Sequence, residues 1–460
     1  MINLKDYTFM DLCCGIGGFH QALTYFGARC LFACDVDDKC RENYELNYKI
    51  KPFGDIKKIN IEDIPYCDIV CAGFPCQPFS HSGYQLGFED NDRGTIFFDI
   101  MRIIKNKKPK YILLENVSNL VSHDNGNTWN VIYNELLNCG YNTLKEPPIF
   151  NPICLGIPQN RDRVFIMCIR KDLGEIPEFY YEYPKKITTN IYSILQEEQN
   201  IDDKYRLNSD EIDLINLWDF FLQNSNKKYI PLFILSQYFN NDSIEEEIRT
   251  FPSWKVKPAI QSKEYYKKNS EFLDKWIKKS KNAKLYKNSK RQFEWQLGRD
   301  SNLTIWDSLL QFRNTGLRAK NPNYYPALVA MSNIPIIAKL KRYLTPRECA
   351  RLQSFPDSYK LCPNDNIAYK QLGNSINIEC LKVFIQFLFG DKEIREKYSI
   401  KNKKVLNNIS IIKGLIVKTK NNFVGKIVKY LSNDNIYLES LDNNEVIVVK
   451  KEDIIENLYL

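Results

Sequence analysis

Five short apolar runs in the first 170 residues restrict this chain more than any other feature. They are "YTFMDLCC", "ARCLFACDV", "CDIVCAGF", "KYILLENV" and "RVFIMCI", all rich in Ile, Val, Phe, Leu and Cys. Between them, "GGFHQALTYFG", "DKCRENYELNY" and "GTIFFDIMRIIKNKKP" carry helical spacing. Runs without polar alternation fit strands buried on both faces, and strands alternating with helical stretches fit parallel strands joined through crossovers. The expected fold class is α/β, a doubly wound, mixed or largely parallel sheet with helices on both faces.

After about residue 180 the regularity fades. The segment is rich in Lys, Asn and aromatic residues, and Phe272, Trp276 and Ile277 fall at helical spacing. Its lysines read first as a solvated face, yet basic and aromatic residues interleaved are also what a nucleic-acid surface needs. "LTPRECARLQSFPD" resumes a helical pattern, and "QLGNSINIECLKVFIQFLFG" gives a turn followed by an apolar helix. Beyond a charged stretch, the end of the chain alternates with the strand period between Asn-rich turns, as in a small β-rich module. Four regions follow: 1–180, an inserted domain at 181–341, a return to the first domain at 342–400, and an accessory module at 405–460.

A formal net charge of +8 permits a polyanionic partner. No run reaches membrane-spanning length and the N-terminus has no apolar signal core, so no membrane association is expected. The 14 cysteines include no CxxC pair and only three histidines exist, which disfavours a metal site of the usual spacing. The chain reads as cytoplasmic and reduced.

Several stretches carry chemistry. "DLCCGIGGF" follows a strand and opens a helix, so Gly15, Gly17 and Gly18 allow a tight turn and close approach of a ligand. His20 stands where a dinucleotide fingerprint wants its third glycine, which disfavours NAD. Asp35 ends the next strand, placed to accept from a ribose, and Asp55 in "FGDI" reads as a further strand-end acid facing an adenine. "GFPCQPFS" delivers Cys76 to the carboxyl edge of the sheet, where open α/β sheets bind ligands. Pro75 and Pro78 stiffen it, and a glycine-bearing segment (Gly83, Gly87, Gly94) with the composition of a lid follows. A merely packed thiol needs neither, so Cys76 is read as a nucleophile. "ENV" sets Glu115 beside that thiol, where a cleft raises a carboxyl's pKa. "QNRDR" puts Arg161 and Arg163 on one side of the next strand.

In this order, "DLCCGIGGF", "GFPCQPFS", "ENV", "QNRDR", "RECARLQSFPD" and "QLGNSI" resemble the bacterial DNA (cytosine-5)-methyltransferases of restriction–modification systems. The resemblance covers residues 7–170 and 342–390, and leaves out most of 180–340 and the tail. It implies the S-adenosylmethionine-dependent methyltransferase fold and double-stranded DNA as substrate, acted on by a monomer with a cognate restriction endonuclease encoded nearby. It implies that the Cys76 thiolate adds to cytosine C6, that C5 then takes the methyl of S-adenosyl-L-methionine, and that loss of the C5 proton expels the thiolate. Glu115 would protonate or hydrogen-bond N3, Arg163 hold the O2 side and Arg161 support the loop. The cofactor would lie over Phe19 and the glycines, with Asp35 and Val36 at the ribose, Asp55 and Ile56 at the adenine, and Asn374 closing the pocket. The target base has to be flipped out of the duplex, and the recognition domain of the family falls between "QNRDR" and "RECARLQSFPD". Where the family carries Thr-Leu late in that domain, this chain has Ala327-Leu328.

Three other readings are weaker. RNA-methylating relatives keep a short recognition segment, and this one is long. A regulator without chemistry has no need to retain Cys76, Glu115 and Arg163 together. Methylation of exocyclic nitrogens calls for Pro-Pro-Tyr/Trp after Asp, Ser or Asn, whereas Pro147-Pro148 stands between Glu146 and Ile149.

Overall fold

The computed structural model describes residues 2–75, 96–181, 189–226, 229–241, 243–288, 290–298, 302–330 and 333–390, with five further strands between 416 and 458. The five apolar runs are strands: β1 (Thr8–Leu12), β2 (Arg29–Cys34), β3 (Ile69–Gly73), β4 (Tyr111–Val117) and, later in the chain, β8 (Arg163–Arg170). Tyr141–Thr143 (β5) and Ile149–Phe150 (β6) complete a seven-stranded sheet with the order β2-β1-β3-β4-β8-β5, β6 also pairing with β8. β1 to β4 pair in parallel, while β8 runs antiparallel to its neighbours.

Alternate residues along these strands enter opposite cores, which is why the runs are apolar throughout. Phe9, Cys71, Leu113, Phe165 and Met167 face one side with the helices Gly18–Tyr25 and Ile378–Phe389. Met10, Val70, Ala72, Ile112, Leu114, Val164 and Ile166 face the other with the helices Ile96–Lys107 and Asn127–Asn138. The expectation of a doubly wound, mixed sheet holds. The chain leaves β1 to one side and returns through β3 on the other, so the switch point lies between β1 and β3. The glycine-rich turn after β1 and the segment running to Cys76 after β3 both start there.

One expected element differs. "FGDI" is no strand: Phe53 makes a single bridge to Cys34, and Asp55 caps a 3-10 turn over Ile56–Lys58. The irregular middle of the chain also has its own sheet and core. Phe233–Leu235 (β9), Gln292–Gln296 (β10), Leu309–Phe312 (β11), Gly316–Lys320 (β12), Ile336–Ile337 (β14) and Arg342–Tyr343 (β15) form six strands in the order β15-β14-β11-β12-β10-β9. Trp218, Phe221, Leu273, Trp276, Phe293 and Leu317 fill the core beside them. The expected amphipathic helix spans Ser270–Ser280, with Trp276 buried and its indole N–H donating to the Leu217 carbonyl at 2.8 Å. Gln159–Asn160 (β7) pairs in parallel with Tyr325–Pro326 (β13), which ties this unit to the first. The C-terminal strands Ile416–Thr419 (β16), Val424–Tyr430 (β17), Asn435–Ser440 (β18), Val446–Lys450 (β19) and Ile454–Leu458 (β20) form a separate antiparallel sheet. Among the described residues no helix is long and apolar enough to cross a membrane, and no cluster of His, Cys, Asp and Glu fits a metal ion.

His20 lies buried in the first helix, its Nδ1 2.7 Å from the Tyr44 hydroxyl and its ring stacked 3.8 Å from that of Tyr48. Burial lowers its pKa from 6.5 to about 4. The neutral ring therefore favours the fold fully above the unfolded value, and this contribution fades as pH falls toward the folded one. At about 1.4 kcal/mol per pKa unit it amounts to about 3 kcal/mol. Between pH 7 and pH 4 the wild type should lose up to that much more stability than His20→Gln in urea titrations. An equal loss in both proteins would show that His20 is not the titrating group.

Candidate active site

The turn after β1 is shaped by backbone conformations open to glycine. Gly15 and Gly17 have φ of +52° and +85°, and a Cβ at Gly17 would stand 2.3 Å from the Tyr48 ring. Nothing lies within 4 Å of where a Cβ of Gly15 would stand, so the turn presents an open cradle there. Asp35, just past β2, spans this turn: one carboxylate oxygen accepts from the Gly15 N–H and the other from the Asp37 N–H, each at 2.8 Å. Burial pushes its pKa up, against the pull of the Asp37 and Gly15 N–H groups. Phe19 is buried beneath, Val36 is exposed at the rim and Ile56 is buried. Asp55 takes the Lys57 N–H at 3.0 Å and sits in the turn rather than at a strand end. Asn374, exposed at the end of the helix Asp365–Asn374, lines a hollow of about 70 Å³ with Asp37, Lys39, Cys40, Lys370 and Gln371. Lys370 pairs with Asp37 at 2.9 Å, so the "QLGNSI" helix is anchored next to Asp35. An open glycine turn, a carboxylate fixed at the end of β2 and a polar hollow beside it suit the ribose and amino-acid groups of S-adenosylmethionine.

Cys76 and the glycine-bearing segment after it lie outside the described residues, and Gly73, Phe74 and Pro75 lead up to it. Gly73 ends β3 in register with Glu115 of β4. A Cβ on Gly73 would stand 3.5 Å from the Glu115 carboxylate and 4.0 Å from the Phe19 ring, so these two side chains meet at this glycine. Asn116, buried, donates to the Phe74 carbonyl at 2.9 Å and so holds the chain two residues before the thiol. That role was missed in the sequence, although Asn116 is the middle letter of "ENV".

Glu115 is buried, with Arg163 Nε 2.9 Å from one carboxylate oxygen. Burial raises its pKa, opposed by the charges of Arg163 and Arg161. Burial thus favours the protonated carboxyl, the form a general acid or a hydrogen-bond donor to a ring nitrogen needs.

The two arginines do not share one side of a strand. Arg163 opens β8 and faces Glu115, whereas Arg161 precedes the strand and turns away into the protein. Arg161 is 2% exposed and donates to the carbonyls of Leu328 at 2.7 Å, Gly373 at 2.9 Å and Ser375 at 2.7 Å. Burial, then the Arg163 charge, lowers its pKa to about 9, which leaves it cationic at neutral pH. It thus clasps three strands of chain: its own loop, the end of the middle unit at Ala327-Leu328, and "QLGNSI". Asp11 on β1 was also missed, although an acid inside an apolar run is a visible signal. It is fully buried, with one carboxylate oxygen unpaired, and burial, reinforced by Asp35, raises its pKa well above the usual range.

This sheet and this cluster at its carboxyl edge carry the motifs of one family. The model for C-5 cytosine-specific DNA methylases matches residues 7–389, and the chain belongs to that family. It is a DNA (cytosine-5)-methyltransferase that uses S-adenosylmethionine, of the kind found in restriction–modification systems. Over 395 residues it is 34% identical to the type II methyltransferase M.HhaI of Haemophilus parahaemolyticus, covering 85% of this chain and 98% of that one. M.HpaII of Haemophilus parainfluenzae is 34% identical over 83% of this chain and 88% of its own length. M.BanI of Aneurinibacillus aneurinilyticus is 32% identical over 83% and 95% respectively. The strands between 416 and 458 lie outside the matched residues.

Proposed function

We propose that Cys76 is the nucleophile of this methyltransferase and that Glu115, Arg163 and Arg161 act on the cytosine or on the loop that holds it. The observation that carries this reading is the position of Glu115: buried, paired with Arg163, and in register with Gly73, three residues before Cys76. Cytosine C5 is a poor nucleophile until the Cys76 thiolate adds to C6. Glu115 donates to N3 as charge builds in the ring, and Arg163 steadies the O2 side. S-adenosylmethionine supplies an electrophilic methyl group. Loss of the C5 proton then expels the Cys76 thiolate and restores the free enzyme. Because the reacting atoms are shielded within a duplex, the base is flipped into the cleft.

The cofactor is read as held by Gly15, Gly17, Gly18 and Phe19, with Asp35 and Val36 at the ribose, Asp55 and Ile56 at the adenine, and Asn374 at the closing edge. Asp35→Ala should raise the KM for S-adenosylmethionine at least tenfold and leave the DNA word unchanged. A changed word would remove Asp35 from the cofactor site. Residues 181–341 are read as the target-recognition domain and 405–460 as an accessory module. The protein acts in the cytoplasm as a monomer, protecting DNA from a cognate endonuclease.

The test is expression of the full chain in a host without cytosine methylation, with 5-methylcytosine mapped at single-base resolution. One short methylated word is expected. Genomic DNA without 5-methylcytosine, from cells that hold folded protein, would overturn the reading.

A further inference from the structure

A hollow of about 350 Å³ lies in a cleft between the two units, away from the glycine-rich turn. One wall is the β7–β8 loop at Asn160 and Asp162, next to Arg163 of the active site. The other is the hairpin of β11 and β12, which contributes Gln311, Arg313, Arg318 and Lys320. Beneath the arginines lies Glu294 on β10, 7% exposed. Its two carboxylate oxygens are divided between them: Arg313 Nη1 donates to one at 2.9 Å and Arg318 Nε to the other at 2.6 Å. The hairpin is fixed against β10, because Gly316 passes so close that a Cβ would stand 1.9 Å from the Gln292 carbonyl. Glu294 and Arg318 are directly paired in register across β10 and β12, and Gln311 is paired with Arg318 across the hairpin.

This arrangement suits base reading better than backbone binding. A phosphate contact draws on net positive charge and tolerates a mobile side chain, as exposed lysines provide. Here a buried carboxylate offsets the charge of two guanidinium groups and fixes their planes. Hydrogen-bond donors remain: among the described residues, the Nη groups of Arg318 have no partner in the protein. A fixed guanidinium edge at the floor of a cleft matches the paired O6 and N7 acceptors of guanine in the major groove.

We propose that Arg318 and Arg313, held by Glu294, read a guanine of the recognised DNA word. The inference rests on the DNA-methylating activity above. Arg318 and Arg313 touch the base edge, and Glu294 is the positioning residue.

The test uses the full chain and the word mapped for the wild type. Arg318→Lys, Arg318→Ala, Arg313→Lys and Glu294→Gln are compared on that duplex and on duplexes with one base pair changed. In at least one of the arginine-to-lysine variants, the preference for guanine at one position should fall about tenfold to a hundredfold, with S-adenosylmethionine binding unchanged. Glu294→Gln should relax the same position while tightening binding to unrelated DNA, since the offsetting charge is gone. An unchanged preference in all variants overturns the proposal. So does an equal weakening on all sequences in Arg318→Ala that Arg318→Lys restores, which marks a phosphate contact. If Arg318→Lys lost cofactor binding through misfolding, Arg313→Lys, at the exposed end of the hairpin, carries the same decision. A wild type that leaves no 5-methylcytosine is a different failure, one of the activity itself.

Discussion

Cys76→Ser should bring methyl transfer down to background while cofactor binding stays within a few fold of wild type. A serine hydroxyl is almost wholly protonated at neutral pH and adds poorly to an unactivated ring. The proposed cofactor contacts lie on other segments, at the glycine turn and Asp35, so their loss is not expected. The same chemistry predicts a trap. Duplex DNA with 5-fluorocytosine at the target position should form an adduct with the wild type that survives denaturation, because fluorine does not leave as the proton does. Cys76→Ser should form none. An active wild-type preparation that gave no adduct would falsify covalent catalysis by Cys76.

Glu115→Gln should slow turnover by about 10²–10⁴-fold, the usual contribution of a positioned acid or base, and change DNA affinity by only a few fold. The amide keeps the shape of the side chain and a hydrogen-bond donor, so the loss isolates the transferable proton. Single-turnover rates and equilibrium binding, measured on the same duplex, separate the two effects. Matching losses in both would make Glu115 a structural partner of Arg163 rather than the group acting on N3.

The parallel sheet was legible in the sequence because burial on both faces leaves strands apolar at every position, as in Ile112–Leu113–Leu114, where successive residues enter opposite cores. Asp55 was misplaced because in "FGDI" Phe53 makes only a lone bridge and Ile56 already opens a 3-10 turn, too little to define a strand. The arginines of "QNRDR" were misread for a related reason. Residues two apart share a face only inside a strand, and Arg161 falls before β8 begins. The six-stranded sheet of the middle unit was not anticipated. β14 and β15 have two residues each and β9 has three, so their periodicity is too short to register, and their pairing depends on segments far apart in sequence. Glu294 likewise gave no signal, since nothing in "QFEWQ" shows that two arginines some twenty residues later will close on it.

The glycine turn proposed to hold the cofactor is tied to the far end of the catalytic fold. The Tyr359 hydroxyl donates to the Ile16 carbonyl at 2.9 Å, Asn43 to the Lys360 carbonyl at 3.1 Å, and Gln371 to the Lys39 carbonyl at 2.9 Å. Each contact closes a loop of more than 300 residues. A chain synthesised from its N-terminus has β1 and the glycine turn in place long before the segment that seals them leaves the ribosome. Closing such loops late is entropically costly and slow. The turn is therefore sealed only once residues 359–371 have been made, and chains that stop short of residue 359 hold Cys76 but none of these contacts.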